Sequence, residues 1–195
     1  MTSTEQGTQQ QDDRDGRLIE VGGDRVGVRF ERRLAHPPER VWRAVTETEE
    51  LAKWFPARPE IAGERRIGAT LTFTYPGNVE PPESGEIVEL DEPRLFAFTW
   101  RPGNDGEAQL LRFELEADGD GTRLVFTHEL PRPDSAKVAA GWELCLDDLE
   151  LALAGEPRAE FPEGRWVELH EEYANEFGVS PEPGREAMRE RQGAE

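Results

Sequence analysis

Two polar side chains of this sequence stand at positions where they could take part in chemistry. His128 follows Leu124 and Phe126 at every second position, so in a strand its imidazole would lie on the same side as those apolar side chains. An imidazole turned inward can orient a ligand or act as a general base, because its pKa lies near neutral pH. Tyr75 is a candidate companion, since its phenol can donate a hydrogen bond to a carbonyl group. Both residues also fit a structural role, His128 as a hydrogen-bonded histidine at a strand end and Tyr75 as an amphipathic core residue.

The remaining reactive residue types give no catalytic or metal-binding pattern. Cys145 is the only cysteine, which excludes an internal disulfide and a multi-cysteine metal site. Its place in an apolar helical pattern favours an inert buried thiol. His36 lies in a loop, and His170 lies among glutamates on a helix face that we expect to be solvated. The sequence also lacks a phosphate-binding glycine loop and a nucleophile elbow. We therefore predict no catalytic residue, no metal and no cofactor.

The charge of the chain disfavours two classes of partner. The 195 residues include 42 acidic and 23 basic ones, which gives a formal net charge of -19. Such a charge repels the phosphate backbone of a nucleic acid and an anionic membrane surface. The sequence has no apolar run of transmembrane length and no apolar segment typical of a secretion signal near its first residue. We predict an acidic, soluble, cytoplasmic protein with no nucleic-acid or membrane partner.

The elements that must position these residues follow from the spacing of the apolar side chains. Residues 1–17 contain almost nothing that can be buried, which predicts a disordered tail. Residues 25–34 alternate as a strand, and the spacing then changes to that of a helix opened by Pro37 and Pro38, with a second short helix over 48–55. Five further strand-like runs follow without crossover helices, which favours an antiparallel meander. They cover residues 69–75, 85–90, 95–100, 110–116 and 122–130.

Two helical patterns complete the chain. The spacing over residues 136–154 predicts a long helix with one apolar face, which is able to cover the sheet. An additional amphipathic helix is predicted over residues 160–178, where it docks on the domain or on a partner. Residues 180–195 combine prolines with a charged segment, which predicts a second disordered tail. The apolar face of the long helix consists of Trp142, Cys145, Leu146, Leu149 and Leu153.

Several local motifs occur in a fixed order along these elements. They are PPERVW at 37–42, LAKWF at 51–55, GEIVEL at 85–90, PRLFAFTW at 93–100, GTRLVFTH at 121–128 and GW at 141–142. With these motifs the chain resembles the START-like (SRPBCC) superfamily, and within it the bacterial proteins similar to the C-terminal domain of the activator of Hsp90 ATPase. The resemblance covers residues 24–155. It implies an α+β helix-grip fold, in which a curved antiparallel sheet wraps around a long C-terminal helix, with two short helices after the first strand.

The resemblance also implies an apolar cavity between the sheet and the helix, although the same side chains form a solid core if no space is left. A cavity of this kind favours a small hydrophobic or aromatic ligand fixed by a few polar groups. We predict such ligand binding as the function. The alternatives are an interaction protein of the Hsp90-ATPase-activator type with a chaperone as partner, and a polyketide cyclase or aromatase-like enzyme that uses His128 and Tyr75. The candidate lining residues are Leu71, Phe73, Tyr75, Phe96, Phe98, Trp100, Leu111, Phe113, Leu124, Phe126, His128, Trp142, Cys145, Leu146 and Leu149.

Overall fold

The computed structural model describes residues 15–75, 81–103, 106–158 and 160–193. Within these ranges the chain forms eight strands, five α-helices and one 3-10 turn. The strands are β1 (Arg17–Gly22), β2 (Arg25–Leu34), β3 (Arg58–Ile61), β4 (Thr70–Thr74), β5 (Glu83–Asp91), β6 (Leu95–Trp100), β7 (Gln109–Asp118) and β8 (Gly121–Pro131). The helices are α1 (Pro38–Thr46), α2 (Thr48–Leu51), α3 (Ser135–Ala154), α4 (Glu163–Phe177) and α5 (Glu182–Gly193), and the 3-10 turn is Arg132–Asp134.

All eight strands form one antiparallel sheet in the order β1-β2-β8-β7-β6-β5-β4-β3. The meander from β4 to β8 follows the chain, as the short turns between the five strand-like runs predict, and β3, which the sequence pattern does not predict, adds to its edge beside β4. The early strand β2 then pairs with the last strand β8 along its whole length, from Arg25 opposite Pro131 to Leu34 opposite Thr122. With α3 packed on the inner face, this is the predicted helix-grip arrangement of an α+β fold.

The inner face of the sheet carries the apolar side chains that the alternation predicts. Phe113 lies opposite Phe126 in the ladder between β7 and β8, and Leu111 lies opposite His128 one pair further along the same face. All four side chains are buried. Each large apolar side chain removed from water in this way stabilises the fold by about 1.5–3 kcal/mol. The register therefore places His128 in the apolar interior and not at a wet rim.

Helix α3 lies against this face and ends as its sequence indicates. Gly155 adopts a left-handed conformation with φ of 79°, which a side chain would disfavour. Its N–H donates to the carbonyl of Ala152, and the N–H of Glu156 donates to the carbonyl of Leu151. This pair of hydrogen bonds is a Schellman cap. It fixes the end of the helix whose inner side chains fill the sheet.

Helix α4 packs against the outer side of α3, so the predicted amphipathic helix docks on its own domain. Tyr173 joins three segments there, because its hydroxyl donates to Oε2 of Glu143 at 2.5 Å and accepts from the backbone N–H of Gly16 at 2.7 Å. Residues 1–14 of the predicted N-terminal tail lie outside the described residues. Arg17, its last residue, begins β1, a strand that the sequence analysis does not anticipate.

The C-terminal segment differs from the predicted disordered tail, since α5 forms over Glu182–Gly193 and returns to the domain. Three contacts explain this order. Met188 is buried, Arg185 makes two hydrogen bonds with the carboxylate of Glu171 at 2.8 and 2.9 Å, and Gly184 lies against the ring of His170. His170 is consequently buried and stacked on Trp166, and the expectation of a solvated His170 is wrong.

Candidate functional site

An apolar pocket of about 150 Å³ lies between α3, the ends of β6 and β8, and the segment that follows α2. Its lining is mostly aromatic or aliphatic, with a single imidazole and a single thiol. Aromatic walls of this type offer a hydrophobic ligand a large contact area at well-defined ring positions. The pocket is lined by Phe55, Pro56, Trp100, His128, Val138, Gly141, Trp142 and Cys145.

His128 holds the inner end of the pocket through two hydrogen bonds. The indole Nε1 of Trp142 lies 2.8 Å from Nδ1 of His128, and Nε2 of His128 lies 2.7 Å from Oε1 of Gln109. An indole N–H only donates, so Nδ1 must be the acceptor and the imidazole proton must reside on Nε2. Nε2–H then donates to the Gln109 carbonyl oxygen. The arrangement specifies one neutral tautomer and one ring orientation.

The environment keeps this imidazole uncharged. Burial lowers the pKa of His128 from 6.5 to about 3, and the positive charge of Arg25 acts in the same direction. A second proton would also have to occupy Nδ1, which already accepts from Trp142. Both ring nitrogens are thus engaged within the protein. His128 lines the pocket with its ring, but the lone pair on Nδ1 already accepts a hydrogen bond from the Trp142 indole. This arrangement does not suit a general base, which needs a free lone pair to take up a proton.

Trp100 forms a second fixed wall of the pocket. Its indole Nε1 donates to Oε2 of Glu83 at 2.6 Å, and the backbone N–H of Gly103 donates to the other carboxylate oxygen at 2.7 Å. Burial and the neighbouring Glu83 carboxylate raise the pKa of the Tyr75 phenol above its usual value. Tyr75 therefore remains a neutral phenol at neutral pH, next to the carboxylate that positions Trp100.

A larger groove of about 610 Å³ adjoins the pocket on the side of Tyr75. Arg158 crosses it, where its Nε donates to Oδ2 of Asp148 at 2.8 Å and its Nη1 donates to the carbonyl of Phe55 at 3.3 Å. The groove and the pocket have Pro56, Gly141 and Cys145 in common. The groove is lined by Pro56, Tyr75, Gly141, Leu144, Cys145, Asp147, Asp148, Leu151, Arg158, Phe161 and Pro162.

Five of the predicted cavity residues border these two spaces. Trp100, His128, Trp142 and Cys145 line the pocket, while Tyr75 and again Cys145 line the groove. The other predicted residues are buried in the core and line neither space. They are Leu71, Phe73, Phe96, Phe98, Leu111, Phe113, Leu124, Phe126, Leu146 and Leu149.

The size of Trp142 explains why most of the predicted cavity is filled. Its ring lies 4.0 Å from that of Phe126 and 6.2 Å from that of Phe113, measured between centroids, and Trp54 packs beside it at 6.5 Å. Interiors pack to the density of organic crystals, so an indole in the middle of the sheet leaves little room. The open space is displaced toward the end of the grip, beside Trp100.

Several residues that form or support the pocket are not among the predicted lining residues. Phe55 and Pro56 come from the end of a predicted short helix, and Val138 and Gly141 fall outside the apolar face predicted for α3. Gln109, the partner of His128, begins β7 and is polar. Of these residues, only Gly141 stands out in the sequence, because a glycine in the middle of an amphipathic helix is unusual.

The environment of the partly exposed Cys145 disfavours the reactive form of its thiol. Burial raises the pKa of Cys145 to about 12, so the nucleophilic thiolate is scarce at neutral pH. Across the described ranges, which omit residues 1–14, 76–80, 104–105, 159 and 194–195, the structure brings together no set of three or more His, Cys, Asp or Glu side chains that is able to hold a metal ion. Among those same residues, no helix has the length and apolar character required to cross a membrane.

Comparisons with known proteins relate this geometry to a family and a fold. The family model described as "Activator of Hsp90 ATPase homolog 1-like protein" matches residues 35–154. No curated protein matches the chain. CalU16 from Micromonospora echinospora is similar in structure, with a TM-score of 0.67 and 24% identity over 85% of this chain and 98% of its own.

Two further solved structures have the same fold. The conserved protein of unknown function EF2215 from Enterococcus faecalis superposes with a TM-score of 0.67 and 23% identity, covering 90% of this chain and 98% of its own. The protein encoded by gene BPP1335 from Bordetella parapertussis has a TM-score of 0.61 and 28% identity, covering 83% of this chain and 90% of its own.

Proposed function

The chain belongs to the Activator of Hsp90 ATPase homolog 1-like family within the START-like superfamily, and from this premise we propose that it binds a small hydrophobic or aromatic molecule in the apolar pocket. The observation that carries the proposal is the pocket itself, which retains about 150 Å³ of apolar space although Trp142 packs against Phe126 in the centre of the sheet. A protein cavity of about 150 Å³ lined by apolar side chains binds benzene. A single ring therefore fits this volume.

The walls support an aromatic occupant in particular. Phe55, Trp100 and Trp142 offer rings on several sides, and the His128 ring lies 5.9 Å from that of Trp100 between centroids. Two of these rings are held by hydrogen bonds, Trp100 to Glu83 and Trp142 to His128. Walls that are already in place cost a ligand little ordering free energy on binding.

The hydrogen bonds of His128 favour binding over catalysis. A cyclase-like step would need the imidazole to take up a proton, yet Nδ1 accepts from Trp142 and Nε2–H donates to Gln109. Tyr75 borders the groove and not the pocket, so the two predicted catalytic partners do not converge on one space. Ligand binding uses the site as it stands.

A surface-acting chaperone partner has less support among the described residues. Their exposed large hydrophobic side chains are Val21 on β1, Ile67 in the loop before β4 and Val167 on α4. Single residues of this kind on separate elements are normal for a protein surface and do not form a docking patch.

Calorimetric titration with toluene tests the proposal. Val138 lines the pocket and is only partly buried, so Val138→Phe fills the pocket with little disturbance of the core. We expect toluene to bind the wild-type chain, to raise its melting temperature, and to lose both effects in Val138→Phe. Val167→Phe on exposed α4 is the matched control and should bind as the wild type does. Equal binding to all three chains, or to none, contradicts the proposal.

A further inference from the structure

We propose that one elongated ligand occupies the pocket and the groove together, with a single ring in the pocket and an uncharged polar end in the groove, and that Gly141 provides the passage between them. The inference rests on the proposed function, because it names the shape and chemistry of the molecule that the pocket would hold. It follows from the position of Gly141, which neither packing nor backbone conformation explains.

Gly141 lies in the interior of α3, where glycine is less favourable than alanine. Elsewhere in this chain a glycine is required by close contacts: a Cβ on Gly85 would overlap the carbonyl oxygen of Thr99, and one on Gly184 would overlap the ring of His170. A Cβ on Gly141 meets nothing nearer than Nε1 of Trp166, at 3.9 Å, which is an ordinary contact. A methyl group fits at position 141 in the unliganded protein.

Gly141 lies where the pocket and the groove adjoin. Gly141 lines the pocket and the groove together with Pro56 and Cys145. Because Gly141 has no side chain, it places only main-chain atoms on the border that the two spaces share, where a ligand chain leaving the pocket would run.

The groove favours a polar group without charge at the far end of the ligand. Asp148 and Arg158 already pair at 2.8 Å, and Asp147 lies 3.9 Å from the guanidinium of Arg32. A charged ligand group would have to compete with these pairs and lose its own water, whereas a hydroxyl can hydrogen-bond at their edges. The groove volume of about 610 Å³ is in the range of small-molecule sites.

Two probes and two glycine substitutions test the inference by calorimetry. Toluene reaches the pocket alone, while 4-phenylbutan-1-ol carries a ring, a flexible chain and a hydroxyl. Gly141→Ala adds a methyl group at the junction, and Gly164→Ala is the matched control, since Gly164 is also helical and a Cβ there meets open space. We expect wild type to bind 4-phenylbutan-1-ol more tightly than toluene. Gly141→Ala should weaken the binding of 4-phenylbutan-1-ol at least about tenfold and the binding of toluene by less than about threefold. The added methyl group overpacks only the junction, which the longer probe occupies and toluene does not.

The possible outcomes separate the two proposals. If both probes bind and Gly141→Ala weakens neither, or weakens both equally, the two-part ligand is wrong while the pocket function stands. If Gly164→Ala weakens 4-phenylbutan-1-ol as much as Gly141→Ala does, the effect is not local to the junction and the inference is also overturned. If neither probe binds the wild-type chain, the proposed function itself fails.

Discussion

The indole N–H of Trp142 donates to Nδ1 of His128 across 2.8 Å and so joins the long helix α3 to the last strand β8. Both side chains are buried, and the bond decides which imidazole nitrogen carries the proton. It also fixes two rings that line the apolar pocket. One buried hydrogen bond therefore links the stability of the grip to the shape of the site.

Removing the donor should destabilise the protein strongly. Trp142→Phe leaves Nδ1 of His128 buried without its partner and creates a void beside Phe126, which together cost about 2–4 kcal/mol of unfolding free energy. Urea denaturation measures the change. Trp166→Phe serves as the control, because it removes the same atoms from a stack on His170, with an expected cost of about 1 kcal/mol. Equal losses in the two variants would show that the hydrogen bond contributes little.

The buried His128 should make stability depend on pH in a defined window. Its folded pKa of about 3 lies below its unfolded value of 6.5, so as pH falls the unfolded chain takes up the proton first. The contribution is fully present above pH 6.5 and is lost progressively as pH falls toward 3.

A non-titrating variant isolates this contribution. Between pH 7 and pH 5 the unfolding free energy of the wild type should fall by about 2 kcal/mol more than that of His128→Asn. His170, whose pKa burial also lowers, is present in both chains and cancels in the comparison. Parallel stability curves for the two proteins would mean that His128 is not held neutral by the fold.

Two glycines should respond in opposite directions to alanine. Gly141→Ala gains helix propensity without a clash, so it should raise the unfolding free energy by about 0.5–1 kcal/mol. Gly184→Ala places a methyl group against the His170 ring and should displace α5, which hydrogen exchange over residues 182–193 would detect as faster exchange. Destabilisation by Gly141→Ala would refute the statement that packing does not require glycine at that position.

The single thiol should be slow to react. With its pKa raised to about 12 by burial, Cys145 should react with iodoacetamide at pH 8 at least about 100-fold more slowly in the folded protein than in urea. Because the chain has one cysteine, mass spectrometry of the intact protein measures the fraction of Cys145 that has been alkylated. Similar rates in the two states would indicate that the fold does not raise the pKa of Cys145.

Much of the fold is predictable because it depends on local periodicity. The alternation in β2, β4 and β8 and the helical spacing of α3 follow directly from where apolar side chains recur. Half of the residues of helix α5 are charged, and its order depends on tertiary contacts such as Arg185 with Glu171 that no local pattern contains. Strand β3 contains Pro59 and lies at the sheet edge, a position where proline is tolerated but weakens the sequence signal.

The site is less predictable because its shape depends on how side-chain volumes add. Alternation identifies which residues face inward, including Phe126 and His128, but not that Trp142 packs 4.0 Å from Phe126 and fills the centre. The pocket that remains is closed by Phe55 and Pro56, which reach α3 only after the chain turns away from α2. Contacts between distant segments therefore decide which predicted lining residues become core.

The most direct test of ligand binding is the position of a bound probe. Nuclear Overhauser effects between the methyl group of toluene and the protein, measured by NMR in solution, should connect the probe to the Val138 methyl groups and to the rings of Trp100 and Trp142. They should disappear in Val138→Phe. Contacts confined to exposed side chains such as Ile67, or no contacts at saturating toluene, would contradict the assignment of a ligand to this pocket.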